Sequence, residues 1–447
     1  MSFVASMGRW RQEGMSLAQC VDAAVRGAVL DGRIPVGTPL PSERVLGRQL
    51  DISRGTVVAA LALLREGGWV RTRHGSGSVL CLPAHLTTRT APWSLDQGGD
   101  GVELDMRLAV TAAPHAHYLA ALHRAVERCA PQLCDSGTPD GGLPGLRALL
   151  AGQYTREGLP TTPEQILVTS GATAALMLLA DHFHDRRRPF VVESPTYPGA
   201  LAVLRRRRTR LVSIPVTAQG WERPTDVIRS AGAGLVYLTP DFHNPSGMLM
   251  PDDVREQIAA MAERLDVPVV ADETMRELDL RTPPQPVPRL RGARVITIGS
   301  TSKTIWGGLR VGWIRARASD VRELMLNPMQ GSLTPPPLEQ LIAEELLGDV
   351  GQILTDRLAS LRTQRDHLVQ LLAGRDEWTF DVPLGGLAVW LHLRHTTGPA
   401  LAAAARRRGL ALASGPEFSV DRTLTRYLRL PFTAAPEVLT RAVALLG

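Results

Sequence analysis

Lysine occurs once in this chain. Of 50 Lys and Arg residues among 447, every one is arginine except Lys303, set in Gly299-Ser300-Thr301-Ser302-Lys303-Thr304. Arginine can supply charge pairing, phosphate binding and solubility, but a guanidinium stays protonated and cannot attack a carbonyl, whereas a desolvated lysine amine can. Lys303 is therefore the candidate for covalent chemistry. Other residues of useful type stand just behind short apolar runs. Ser170-Gly171-Ala172-Thr173 opens a helical segment, where backbone amides and the helix dipole hold an anion. Tyr197 offers a flat ring, Asn244 an amide and Asp272 a carboxylate. Ser300 and Arg310 offer a hydroxyl and a charge-assisted fork for phosphate. Each has a bland alternative taken singly: Asp272 as a turn residue, Tyr197 as core, Asn244-Pro245-Ser246-Gly247 as a plain turn.

The elements that must position these residues are legible. Residues 166–169, 190–193, 211–216, 235–238, 268–271 and 295–298 are apolar and mostly unalternating, as in strands covered on both faces. Longer helical segments separate them, which predicts an α/β, doubly wound, mainly parallel sheet whose ligands lie at the carboxyl ends of strands. That is where the polar residues fall.

A phosphate cup, an aromatic ring, an amide, a buried carboxylate and a reactive lysine together suit pyridoxal 5'-phosphate. Lys303 would form an imine with its aldehyde, Asp272 would pair with the ring nitrogen, Asn244 would bond the phenolic oxygen and Tyr197 would stack on the ring. Ala172, Thr173, Ser300 and Arg310 would bind the phosphate. Residues 105–447 resemble fold-type I aminotransferases through Gly142-Leu143-Pro144-Gly145-Leu146-Arg147, Glu193-Ser194-Pro195-Thr196-Tyr197-Pro198-Gly199, Asn244-Pro245-Ser246-Gly247 and Ser300-Thr301-Ser302-Lys303 followed by Arg310. Gly385-Gly386-Leu387 and Leu428-Arg429-Leu430-Pro431 complete the pattern, with a small C-terminal α+β subdomain implied. The resemblance also implies that Arg429 grips the carboxylate of an amino-acid ligand.

The first 83 residues read differently. Helical spacing from Leu17, a second helix capped by Ser42 and a third capped by Ser53 predict a helix-turn-helix. Alternating residues around His74-Gly75-Ser76-Gly77 predict a hairpin wing. In such a unit the third helix enters the major groove, where Arg54 and Thr56 face bases or phosphates and Gly55 permits close approach, while Arg44 and the wing at Gly75 hold the backbone. The run from Asp31 to Arg44, continued by Ile52-Ser53-Arg54-Gly55-Thr56-Val57, resembles the winged-helix head of GntR-type transcription regulators, whose DNA contacts fall on Arg44, Arg54, Gly55, Thr56 and Gly75 here. A GntR head on an aminotransferase-like body resembles MocR-type regulators. That implies double-stranded operator DNA as partner, a body that binds pyridoxal phosphate and senses it or an amino compound, and a head-to-tail homodimer.

Bulk properties agree. Residues 1–83 form the head, 84–104 a Thr/Pro/Gly/Asp-rich linker and 105–447 the body. The head holds ten arginines against six acids, which favours an anionic partner. Cys20, Cys81, Cys129 and Cys134 show no metal-ligand spacing and read as reduced thiols of a cytoplasmic protein. Neither a signal pattern nor a membrane-length apolar run is present, and no metal site is expected. Arg186-Arg187-Arg188 and Arg205 to Arg208 read as solvated helix surface.

The pattern also breaks. The tyrosine usual two or three positions after the ring-nitrogen aspartate is absent, Thr274 and Met275 standing there. Residues 136–141 lack the usual aromatic, and Ala109 stands where a glycine is expected. Losing one of two donors to the phenolate blunts catalysis by about 1 to 3 kcal/mol, so sensing is favoured over turnover. A working aminotransferase with an accessory head, and a GntR-type repressor whose body has lost its cofactor, stay open as alternatives.

Overall fold

A computed structural model describes residues 3–8, 10–31, 33, 34, 36–73, 77–83, 102–134, 137 and 140–447. The expected DNA contact Gly75, its neighbour His74 and most of the expected linker lie outside the described residues.

Helix α1 (Leu17–Leu30) starts at Ser16, whose side chain caps it in a reciprocal box with Gln19. Helix α2 (Glu43–Leu50) and helix α3 (Arg54–Glu66) follow, joined by a turn in which Asp51 takes the left-handed conformation. Ser53 accepts a bond from the Thr56 amide and so fixes where α3 begins. Val21, Val25, Val29, Leu46, Val57, Leu61 and Leu64 close one small core. Strands β1 (Val70–Arg73) and β2 (Gly77–Leu80) form the hairpin, and the segment from Gly37 to Leu40 bonds along β2 as a third ribbon.

The body is built on an eight-stranded sheet among the described residues: β3 (Ile166–Thr169), β4 (Phe190–Ser194), β5 (Leu211–Thr217), β6 (Gly220–Trp221), β7 (Leu235–Leu238), β8 (Val269–Asp272), β9 (Val295–Ser300) and β10 (Gly312–Arg315). Their spatial order is β3-β10-β9-β8-β7-β4-β5-β6. Pairing is parallel from β9 through β5, while β10 lies antiparallel between β9 and β3. Alternate residues of β7 serve opposite cores: Leu235 and Tyr237 pack with Leu178 and Leu201, Val236 and Leu238 with Ile228 and Ile258. Helices thus cover both faces, and the sheet's carboxyl edge is what remains to hold a ligand.

A smaller antiparallel sheet follows, of β11 (Trp378–Thr379), β12 (Ala388–Leu393), β13 (Ala413–Ser414) and β14 (Tyr427–Pro431), in the order β11-β12-β14-β13. The helices Val350–Leu372 and Pro436–Leu446 cover it around Leu361, Leu368, Val389, Leu430 and Leu439. No helix among the described residues is long and apolar enough to cross a membrane.

Candidate functional site

Lys303 sits in a π-helical turn, Ser302–Trp306, that leaves the end of β9. The turn aims its amine inward, and Nζ donates to the Ala109 carbonyl at 2.8 Å. Burial pushes its pKa from the ordinary 10.5 to about 8; the charge of Arg429 adds to this and Asp272 opposes it. A group so placed keeps a neutral fraction of about a tenth at pH 7, far more than an ordinary lysine, and a nucleophilic amine must be neutral to attack.

Asp272 ends β8, the neighbour of β9, and is buried. Burial raises its pKa, while the Tyr237 hydroxyl donates to Oδ2 at 2.6 Å and the Thr274 amide donates to Oδ1 at 3.0 Å, both favouring the charged form. Tyr237 is a site residue the sequence concealed, because a tyrosine inside a buried apolar strand reads as core. Thr274 stands where the usual tyrosine is missing and supports the aspartate, and Met275 is buried beside Phe242 and Ala109.

Two loops face this pair. Tyr197 precedes the helix Pro198–Arg206, and its ring folds over Gly199, where a Cβ would come within 2.5 Å of it. Its hydroxyl also pairs with Thr173 at the start of the helix Ala172–His182. Asn244 follows His243, a buried imidazole whose pKa burial drives down to about 3. This neutral ring lies 3.1 Å, through Nε2, from the Pro195 carbonyl to which it donates, and accepts from Ser246 at 2.8 Å through Nδ1, tying the Tyr197 loop to the Asn244 loop.

The residues expected to bind phosphate stand on three neighbouring segments. Gly171, with φ of 108°, turns the chain from β3 into the helix, whose first amides at Ala172 and Thr173 have no partner within it. Gly312 of β10 packs against that turn so closely that a Cβ would lie 2.6 Å from Gly171 Cα. Arg310 is exposed, makes no ion pair among the described residues and acts electrostatically on Tyr197. Ser300 directs its hydroxyl to the Val311 carbonyl at 3.1 Å and lies 2.5 Å from the Ser302 hydroxyl, so the two serines form one hydrogen-bonded pair.

Arg429, on β14, reaches the site from the small sheet. It donates to the Asn244 amide oxygen at 3.4 Å and to the Arg107 carbonyl, while its buried Nε has no partner among the described residues. Burial lowers its pKa to about 10, so it stays cationic at neutral pH. A buried guanidinium nitrogen left open beside an ammonium-type residue is what an α-amino carboxylate would satisfy. The orphaned Nε, the unpaired Arg310 and the cradle at Gly171 fit a phosphorylated aldehyde cofactor and a carboxylate ligand together.

The profile described as "Aminotransferase class I and II" matches residues 107–446. The chain belongs to the class I and II aminotransferase family. The profile "Bacterial regulatory proteins, gntR family" matches residues 17–80 ahead of it. The chain is 26% identical to the uncharacterised HTH-type transcriptional regulator YdfD of Bacillus subtilis, over 95% of this chain and 94% of that one. It is also 26% identical to the HTH-type transcriptional regulator NorG of Staphylococcus aureus, with 79% and 86% covered. Among solved structures, the α-aminoadipate aminotransferase LysN of Thermus thermophilus, crystallised with N-(5'-phosphopyridoxyl)-L-leucine, matches at a TM-score of 0.71 and 25% identity, covering 78% of this chain and 91% of that one. Kynurenine aminotransferase of Pyrococcus horikoshii shares the fold at the same TM-score, with 23% identity, and covers 78% and 90%. A GntR helix-turn-helix head fused to an aminotransferase body is the arrangement of the MocR-type regulators, and membership of the family implies pyridoxal phosphate binding.

At the head, Arg44 is exposed, and Arg54 is exposed but held at 3.0 Å by Glu43 of α2. Gly55 leaves open space, the nearest contact for an added Cβ being Ser53 Oγ at 3.8 Å. Thr56 bonds Ser53 through its hydroxyl at 2.9 Å. Val58, also exposed on α3, escaped the sequence reading because an apolar residue in an amphipathic helix reads as core.

Proposed function

We propose that this chain is a pyridoxal-phosphate-dependent, DNA-binding transcription regulator of the cytoplasm, acting as a homodimer. The observation that carries the reading is the placement of the sole lysine, half-buried at a strand end beside Asp272, with its amine bonded to the Ala109 carbonyl and its pKa shifted to about 8. Bound pyridoxal phosphate supplies an electrophilic carbon and an electron-withdrawing ring. The chain's own residues do the rest. Lys303 would hold the aldehyde carbon, Asp272 would pair with the ring nitrogen, Asn244 would bond the phenolic oxygen and Tyr197 would cover the ring. Ala172, Thr173, Arg310 and the Ser300–Ser302 pair hold the phosphate, and Arg429 takes the carboxylate of an amino compound. Arg44, Arg54, Gly55, Thr56 and Gly75 contact DNA. Exposed Leu119 and Val126, on one face of the helix His115–Arg128, support a dimer surface.

Met275 in place of a tyrosine, and Ala109 in place of a glycine, favour sensing over turnover. The alternative is a working aminotransferase with an accessory head, which the retention of Lys303, Asp272 and Arg429 in one site favours. Titration of the DNA upstream of its own gene, with and without pyridoxal phosphate and a panel of amino acids, tests the first reading. Repeated turnover with an amino acid and a keto acid, without any change in DNA affinity, would establish the second.

A further inference from the structure

Two arginine runs that read as separate solvated surfaces converge on one end of the large sheet. Phe190 and Leu211 begin neighbouring parallel strands in register, so the loops that feed them, carrying Arg186 to Arg188 and Arg205 to Arg210, leave the same edge. This is the edge opposite Lys303 and Asp272. The Phe190 amide bonds the Arg210 carbonyl at 3.0 Å, and the His184 ring bonds the Arg207 carbonyl at 3.0 Å, which holds the loops together.

Within the cluster the arginines divide by role. Arg188 is spent on the Ala233 carbonyl, Arg205 on the carbonyls of Ser419 and Val420, and Arg207 on Asp181 at 2.6 Å. Arg186, Arg187, Arg206, Arg208 and Arg210 are exposed, and among the described residues none of the five makes an ion pair or a side-chain hydrogen bond. Five like charges in so small an area repel one another, and folding does not require them. The placement is also specific. Arg205 grips the segment 419–420, and the next residue, Asp421, accepts a bond from the Val36 amide of the head. Val36 leads into the ribbon that bonds along β2, the base of the wing. One arginine of the two runs, Arg205, is thus linked through segment 419–421 to the head beside its wing. No large apolar residue is exposed within the cluster, whereas a protein partner would require an apolar centre.

We propose that Arg186, Arg187, Arg206, Arg208 and Arg210 form a sequence-independent phosphate track on the body, which holds the DNA flanking the half-site contacted by the head. The inference rests on the reading of the head as DNA-binding. It adds contacts that carry salt dependence and footprint length but no base specificity.

The test uses the full-length protein and the quadruple variant R186Q/R187Q/R206Q/R208Q, with equal circular dichroism and melting temperature required of both. Each is titrated by fluorescence anisotropy against DNA upstream of its own gene, once as a long duplex and once trimmed to the protected half-sites, between about 50 and 200 mM salt. On the long duplex the slope of log K against log salt falls by about 0.9 for each phosphate contact removed, and affinity falls with it. On the trimmed duplex the two proteins coincide. Equal slopes on the long duplex overturn the track and leave the cluster as solvated surface or a seat for an acidic protein. A wild-type protein that binds neither duplex overturns the reading of the head, and the track with it.

Discussion

His392 Nε2 lies 3.9 Å from Asp31 Oδ1, across the junction between the head and the small sheet. Asp31 ends helix α1, and the Leu30 carbonyl beside it accepts from the Thr425 amide at 3.2 Å. Burial works against ionisation of Asp31, yet His392 and Arg33 outweigh it and hold the carboxyl below its ordinary value. The lowered carboxyl pKa favours the docked state above the ordinary carboxylate range, and that contribution is lost as pH falls through the folded pKa. His392→Ala is expected to remove a long ion-pair partner from the half-buried Asp31 carboxylate and weaken docking by up to about 1 kcal/mol. A double-mutant cycle with Asp31→Asn, read by limited proteolysis between head and body, checks it, and strictly additive effects would contradict a direct interaction.

The same junction is continuous with the ligand arginine. His392 lies 4.9 Å from the Tyr427 ring, Tyr427 stacks on Trp390 at 5.2 Å, Trp390 meets Phe418 edge-on at 5.3 Å, and the Arg429 guanidinium stands 4.9 Å over Phe418. Contiguity alone is not coupling, so the coupling must be measured. Trp390→Leu is expected to leave carboxylate binding within about threefold of wild type while removing most of a ligand-induced change in DNA affinity, for which a typical coupling is about 1 to 3 kcal/mol. An unchanged coupling factor would place the communication elsewhere.

Arg429→Gln tests the ligand side. Loss of hydrogen bonds to a charged group, worth about 1.5 to 3 kcal/mol, weakens an amino-acid carboxylate ten- to a hundredfold or so. Pyridoxal phosphate absorbance should persist, because the variant keeps Lys303, Asp272 and the phosphate-binding residues and loses only a 3.4 Å bond to Asn244. Loss of both signals together would assign Arg429 to cofactor retention instead.

Lys303 sets a pH dependence. Its folded pKa of about 8 lies below its ordinary 10.5, so between these values the unfolded chain binds the extra proton. Stability of the cofactor-free protein should therefore rise with pH across that window. The neutral amine fraction grows about tenfold from pH 7 to 9, and the rate of adduct formation with pyridoxal phosphate should follow it. Stopped-flow absorbance across that range checks the slope, and a flat profile would contradict a titrating amine.

Much of this site was legible because its residues terminate buried strands. Asp272, Lys303, Asn244 and Tyr197 each follow an apolar run whose end the sequence marks, and a parallel sheet brings such ends together. Tyr237 was hidden because its position inside β7 has the signature of core. The Ala109 carbonyl that holds Lys303 is backbone and leaves no trace in residue type. Strand β10 escaped because it is four residues long and lies antiparallel within a parallel frame. The docking of Asp31 on His392 and the merging of two arginine runs are long-range facts that no local pattern encodes.

Because the chain carries one lysine, borohydride reduction in the presence of pyridoxal phosphate addresses the central claim most directly. Intact mass and peptide mapping are expected to show one phosphopyridoxyl group per chain, on the peptide that contains Lys303, and none on Lys303→Arg protein. An unlabelled wild type, or a Lys303→Arg variant labelled as well as wild type, would contradict the account.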